Sequence, residues 1–172
     1  MTDTLGLALS ILKTTPLRWV QMAETISPEL FRRAPAPREW SARECLQHII
    51  DTERMVFPAR VGYFLRGEDF PAFNPDDNGS KSKIDISSID MAKEFERLRS
   101  ESMNILRQVK PSDLFKRARH QELDMVSLGE MINEWAGHDL MHTVQAERAI
   151  MQVFIEGCGP WREYFSDHIA KK

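Results

Sequence analysis

Two of the five histidines stand four residues apart in a segment that is predicted to be helical. Side chains at positions i and i+4 lie one above the other on a helix face. Neutral imidazoles are common ligands of Zn²⁺ and other divalent ions. His138 and His142 can therefore reach the same metal ion from one helix. Stepping about 100° per residue places His142 within the apolar face of that helix and His138 at its edge.

A third histidine, His48, lies on a different predicted helix. Around that helix it falls between an apolar arc and a charged arc, where a ligand can face a pocket that solvent reaches. A single histidine at such a boundary is more often structural than a metal ligand. Together with the pair at His138 and His142, however, it predicts a three-histidine metal site that joins two helices.

Three more polar residues on the same two predicted helices are candidates for supporting the site. Asp139 sits among aliphatic neighbours, and a buried carboxylate needs a charged or hydrogen-bonding partner. Two interpretations of Asp139 stay open: it accepts the free N–H of an imidazole, or it pairs with an arginine of a neighbouring helix. Glu53 falls inside the apolar arc, where it could orient an imidazole or pair with the first helix. Gln145 is a candidate for lining the pocket.

The other histidines, the cysteine at position 45 and the methionines are not predicted to be site residues. His120 and His168 are placed in a loop and near the C-terminal end, and both are predicted to be surface residues. Cys45 faces the predicted core, which argues against a catalytic thiolate. The methionines are expected in the core or on the surface rather than in a copper site.

The elements that hold these residues are predicted to be helices, because no run of alternating β-branched residues indicates a strand. Capping boxes at Ser41-Ala-Arg-Glu44 and Ser127-Leu-Gly-Glu130 mark two helix starts. Further starts are predicted at Thr15-Pro16 and Ser27-Pro28. The long helices are predicted from Ser41 to about Arg66 with an interruption near Pro58, from Ser87 or Ser88 to about Val109, and from about Leu128 to Glu156, followed by a short terminal helix from Trp161.

These segments predict an all-α protein, a four-helix bundle with short additional helices, in a single domain over residues 1–172. Residues 33–38 are predicted to be a proline-rich linker and residues 69–83 a long irregular loop. Lys and Arg total 23 and Asp and Glu total 26, a net charge of −3, and the basic residues are scattered. We therefore expect no nucleic-acid partner. With two separated cysteines and no long apolar segment, we expect a cytoplasmic protein without membrane association.

Two segments resemble the DinB-like family. Trp40-Ser41 leads to His48 and Glu53 as in the second helix of that family. The run from Ser127 carries the His-Asp-x-x-His-x-x-Gln pattern of the fourth helix, at residues 138–145, and residues 159–164 resemble the tail of one subgroup. The resemblance implies an up-and-down four-helix bundle, a homodimer, and a metal site with His48, His138 and His142 as ligands. The wider superfamily includes thiol S-transferases and isomerases that use bacillithiol, mycothiol or glutathione.

Three histidine ligands leave a coordination position open for chemistry. The ligand set is compatible with zinc, nickel, manganese or iron, so the divalent metal is not identified. The open position could acidify a water or hold a thiol as its thiolate. Three hypotheses follow. The first is a transferase that activates a low-molecular-weight thiol for a small-molecule substrate. The second is a metal-dependent hydrolase, and the third is a non-catalytic metal-binding or ligand-binding stress protein.

Overall fold

The computed structural model describes residues 4–73 and 86–170. Within these ranges the helices are α1 (Thr4–Thr25), α2 (Pro28–Arg32), α3 (Ala42–Met55), α4 (Phe57–Arg66), α5 (Ser88–Leu106) and α6 (Leu128–Gly157). Two strands, β1 (Arg117–His120) and β2 (Asp124–Ser127), lie between 3₁₀ helices at Pro111–Phe115 and Gly159–His168. Most of the predicted loop at 69–83 lies outside the described residues. None of the described helices is long and apolar enough to cross a membrane.

The four long helices α1, α3, α5 and α6 form the bundle. Both α1 and α3 pack against α5 and α6, so the consecutive helices α1 and α3 occupy opposite corners. This arrangement confirms the predicted all-α four-helix bundle. The short helix α2 packs on α3, and α4 continues from α3 after a break at Val56. The break lies where the sequence predicts it, because Pro58 occupies the first turn of α4.

The core consists of two apolar clusters, one toward each end of the bundle. Phe64, Leu128 and Trp135 belong to one cluster, and Trp19 and Ile49 belong to the other. Between them the helices contribute buried polar side chains instead of apolar ones. We call Glu53, Arg99 and Asp139, which are at most 2% exposed, the polar layer.

The N-terminal helix corrects one prediction. The sequence predicts a helix start at Thr15-Pro16, but α1 runs without interruption from Thr4 to Thr25 with Pro16 inside it. Proline lacks the N–H that would bond the carbonyl four residues earlier, that of Leu12. Arg99 Nη1 donates to that Leu12 oxygen at 2.7 Å. A tertiary hydrogen bond thus replaces the helical one, which a local pattern could not reveal.

The two capping boxes are present as predicted. Ser41 Oγ accepts from the Glu44 N–H at 3.3 Å, and the Glu44 carboxylate accepts from the Ser41 N–H at 2.8 Å. Ser127 and Glu130 repeat this arrangement at the start of α6. Because each box satisfies N–H groups that the first turn leaves free, it fixes where the helix begins. The helices that carry the three histidines therefore start where the sequence predicts.

The two-stranded hairpin contradicts the expectation that no strand is present. Strands β1 and β2 pair antiparallel, with Ala118 opposite Val126 and His120 opposite Asp124. The strand Arg-Ala-Arg-His is short and half charged, so it lacks the β-branched alternation by which strands are predicted. Ala118 and His120 form its buried face. The prediction of His120 as a surface residue is therefore wrong, since its side chain packs against Phe70 and is 7% exposed.

Candidate metal centre

The structure brings the three predicted ligands together. His48 from α3 and His138 and His142 from α6 each offer a ring nitrogen, and these three atoms lie within 4.8 Å of one another. The Nε2 atoms of His48 and His138 are 3.0 Å apart. His48 and His142 are buried and His138 is partly buried. The i, i+4 spacing on α6 and the packing of α3 against α6 together create the cluster.

Aromatic rings form the walls around the cluster. Trp40, which immediately precedes the capping box of α3, stacks on His142 with ring centroids 5.7 Å apart and 21° between the planes. The same indole lies 5.0 Å from the ring of His48. At the other side Phe57 meets His138 edge-on at 5.2 Å. These contacts restrict the rotation of all three imidazoles, so the ligands are positioned before any ion binds.

Gln145 orients one of the ligands. Its Oε1 lies 2.9 Å from His142 Nδ1, one turn further along α6. An amide oxygen can only accept, so Nδ1 carries the proton and Nε2 keeps its lone pair. Fixing the tautomer through the second ring nitrogen is how proteins prepare a histidine for a metal. The structure thus gives Gln145 a more specific place than lining the pocket.

The imidazoles are neutral at ordinary pH. Burial, together with the nearby His142, lowers the pKa of His48 to about 4. Burial and the neighbouring histidines and arginines lower the pKa of His138 to about 3. Burial also lowers the pKa of His142, although the hydrogen bond to Gln145 opposes this. Neutral rings have the free lone pairs that a divalent cation requires.

The donor geometry fits a bound cation. Two Nε2 lone pairs only 3.0 Å apart repel unless a proton or a cation lies between them. Two nitrogen ligands about 2.1 Å from one ion at an angle of about 90° are separated by roughly this distance. Within the described residues, His48 Nδ1 and His138 Nδ1 are buried without a hydrogen-bond partner. A proton shared by the two Nε2 atoms would not interact with the third imidazole, whereas one metal ion can bind a nitrogen of all three.

Asp139 pairs with an arginine, which is one of its two predicted roles. Its carboxylate oxygens accept from Arg99 Nη1 at 2.7 Å and Nη2 at 3.0 Å. Glu53 accepts from Arg99 Nε and Nη2, both at 2.8 Å, so its partner comes from α5 and not from the first helix. Trp135 Nε1 also donates to Glu53, at 3.2 Å. In the described part of the chain neither carboxylate is hydrogen-bonded to an imidazole. The alternative prediction, that Asp139 or Glu53 orients a histidine, therefore has no contact to support it.

Arg99 was not singled out from the sequence, although a signal for it exists. It lies on the apolar face of α5, between Phe95 and Ser102, where a charged residue is unexpected. Burial disfavours its charge, but Asp139 and Glu53 more than offset this and raise the pKa of Arg99 above its usual value. The guanidinium therefore stays charged and holds α1, α3 and α6 on α5.

The remaining predictions concern residues away from the cluster. Cys45 is fully buried, and burial raises its pKa to about 12, so it supplies no thiolate near neutral pH. His168 is exposed in the C-terminal 3₁₀ helix, as the sequence predicts. Trp40 and Phe57, which wall the cluster, were not predicted as site residues, because ring stacking depends on how α6 lies against the start of α3 and α4.

Comparison with known proteins agrees with this architecture. YfiT from Bacillus subtilis, described as "a probable metal-dependent hydrolase with an unusual four-helix bundle topology", superposes with a TM-score of 0.74. The two chains are 15% identical, and the similarity covers 89% of each. No curated protein matches the chain. The family model of the DinB superfamily matches residues 11–146. The chain therefore belongs to the DinB superfamily.

Proposed function

We propose that this protein is a metal-dependent thiol S-transferase. In this proposal His48, His138 and His142 hold a divalent cation, and a low-molecular-weight thiol reacts there with a small electrophile. The observation that carries the proposal is the convergence of three neutral, oriented imidazoles. When bound, a divalent ion supplies Lewis acidity that lowers the pKa of a thiol or a water.

The surrounding residues favour thiol transfer. Hydrolysis of an amide generally needs a side chain that moves a proton to the leaving group. The two buried carboxylates nearest the cluster, Asp139 and Glu53, are unsuited to this task, because both are held by Arg99. Thiol transfer needs only an activated thiol and room for the electrophile. Trp40, which is partly exposed, supplies apolar surface beside the ligands for such a substrate.

A hydrolase is the second candidate, and the similarity in fold to YfiT favours it. That protein is described as a probable metal-dependent hydrolase. Fold does not determine chemistry, however, so the assignment depends on an assay of this chain. A non-catalytic metal-binding protein is the outcome if neither reaction is observed.

The test is a thiol-transfer assay on metal-reconstituted protein. Bacillithiol, mycothiol and glutathione are each offered with monochlorobimane, and formation of the fluorescent thioether is measured against the uncatalysed rate. We expect at least one thiol to react faster with wild type, and His48→Ala to return the rate to background. His168→Ala serves as the matched control, because it removes an exposed histidine outside the cluster.

The same preparations are then offered ester and amide substrates. If wild type hydrolyses one of these substrates but transfers no thiol, and if His48→Ala loses the hydrolysis, the protein is a hydrolase and not a transferase. Absence of both activities in fully metal-loaded wild type would support the non-catalytic protein.

A further inference from the structure

Arg60 lies beside the candidate metal centre but has no part in it. It follows Phe57 by three residues on α4, so the two side chains share a face of that helix. The ring of Phe57 contacts His138, and the positive charge of Arg60 acts on the same histidine. Arg60 is partly exposed and lies over the ring of Phe70, 5.1 Å from its centroid.

His120 presents a second donor at the same place. Its Nδ1 accepts the backbone N–H groups of Glu122 at 3.1 Å and Leu123 at 3.3 Å. Because Nδ1 is an acceptor, the proton of the neutral ring lies on Nε2. Arg60 Nη2 is 3.3 Å from that Nε2. Two N–H donors therefore face each other and cannot satisfy one another, whereas one oxygen atom beside the pair, within hydrogen-bond distance of each nitrogen, could accept from both.

Arg60 also lacks a carboxylate partner within the described ranges. Glu134 and Glu122 influence it electrostatically, but neither forms an ion pair with it. Arg66, six residues further along α4, provides a direct comparison. It lies over Tyr63 in the same manner, yet its Nε donates to Glu68 at 2.8 Å. An arginine that is fixed on a ring, faces another donor and has no paired carboxylate has the features of a site for an external anion.

We infer that Arg60 and His120 bind a carboxylate or phosphate group of the substrate beside the three-histidine cluster. The inference rests on the proposed function in assuming that a substrate occupies the cluster. It adds the substrate class, namely a molecule with an oxyanion group separate from its reacting atom. Arg60 Nη2 and His120 Nε2 both donate to the oxyanion, and the hairpin β1–β2 holds His120 in place.

The experiment measures anion binding on metal-free protein, so it does not depend on whether the cluster holds an ion. Acetate, inorganic phosphate and chloride are titrated at constant ionic strength, and the Nε2 resonance of His120 is followed by ¹⁵N NMR. We expect a saturable shift with acetate, phosphate or both, and none with chloride. The anion that produces the shift identifies the group that is recognised.

Arg60→Gln is expected to weaken this binding by about tenfold or more, because it removes a charged hydrogen-bond donor. Arg66→Gln is the matched control on the same helix and should bind as wild type does. Metal uptake by Arg60→Gln should also equal that of wild type. The inference is overturned if no oxyanion shifts the resonance, if chloride does so equally, or if the two variants lose binding equally. In each of these cases metal binding and thiol transfer could still stand.

Discussion

Gln145 shows how much a single hydrogen bond contributes to the cluster. Its Oε1 accepts from His142 Nδ1 and so fixes the tautomer that offers Nε2. Replacing it with leucine should leave the ring free to choose the wrong tautomer. We expect Gln145→Leu to weaken metal affinity about 10- to 100-fold, as measured by competition with a chelator. Gln21→Leu, at an exposed position on α1, is the control. Equal affinities in Gln145→Leu and wild type would show that the bond does not orient the ligand.

The three histidines could be found from the sequence because helical spacing alone determines which face a residue occupies. His138 and His142 share a face whatever packs against it, and His48 lies at the edge of its own apolar arc. Asp139 and Glu53 are different, since their partner is 40 and 46 residues away in the sequence. Only the three-dimensional structure shows that Arg99 on α5 reaches Glu53 on α3 and Asp139 on α6.

Arg99 connects the polar layer to all four long helices, so breaking its contacts should destabilise the bundle. Arg99 extends from α5 to Glu53 on α3, Asp139 on α6 and the Leu12 carbonyl on α1. Arg99→Met would leave two carboxylates buried without a counter-charge. We expect it to lower the free energy of unfolding by about 3–5 kcal/mol, measured by urea denaturation.

Arg97→Met on the same helix is the matched control for this substitution. Arg97 pairs with Glu94 and Glu101 at the surface, where water screens the charges. The urea midpoint of Arg97→Met should remain close to that of wild type. If Arg99→Met were as stable as Arg97→Met, the contacts of Arg99 in the polar layer would not stabilise the packing of the helices.

Local chemistry explains which elements could be predicted. Ser41 and Ser127 satisfy N–H groups within their own first turns, so their helix starts are visible in four consecutive residues. Pro16 lies in mid-helix, and the Leu12 carbonyl that it leaves free accepts from the side chain of Arg99 on another helix. The hairpin likewise depends on tertiary contacts. The backbone N–H of Phe70 donates to the carbonyl of Arg119 on β1, and the Phe70 ring packs on His120.

The outer surface of α6 bears on the predicted homodimer. Met141 and Val144 are 56% and 55% exposed, and Leu17 on α1 is 57% exposed. Arg18 of α1 pairs with Glu147 of α6, so the two helices lie side by side there. We expect wild type to sediment as a dimer and Val144→Glu to shift it toward monomer, because a charge in an apolar interface is costly. Leu123→Glu, at the exposed hairpin turn, is the control. A wild-type monomer at tens of micromolar would contradict this prediction.

The proposed chemistry requires a bound metal ion, so the metal content of the protein is the decisive quantity. We would determine it by elemental analysis of untagged wild type, His48→Ala, His142→Ala and the control His168→Ala, all prepared identically and dialysed after exposure to Zn²⁺, Ni²⁺ or Mn²⁺. We expect near-stoichiometric metal in wild type and in His168→Ala. We expect little or none in the two cluster variants, whose helical circular dichroism stays unchanged because neither His48 nor His142 belongs to the two apolar clusters of the core. A wild type that takes up none of these ions, or a His48→Ala variant that binds them as well as wild type, would contradict the three-histidine metal site.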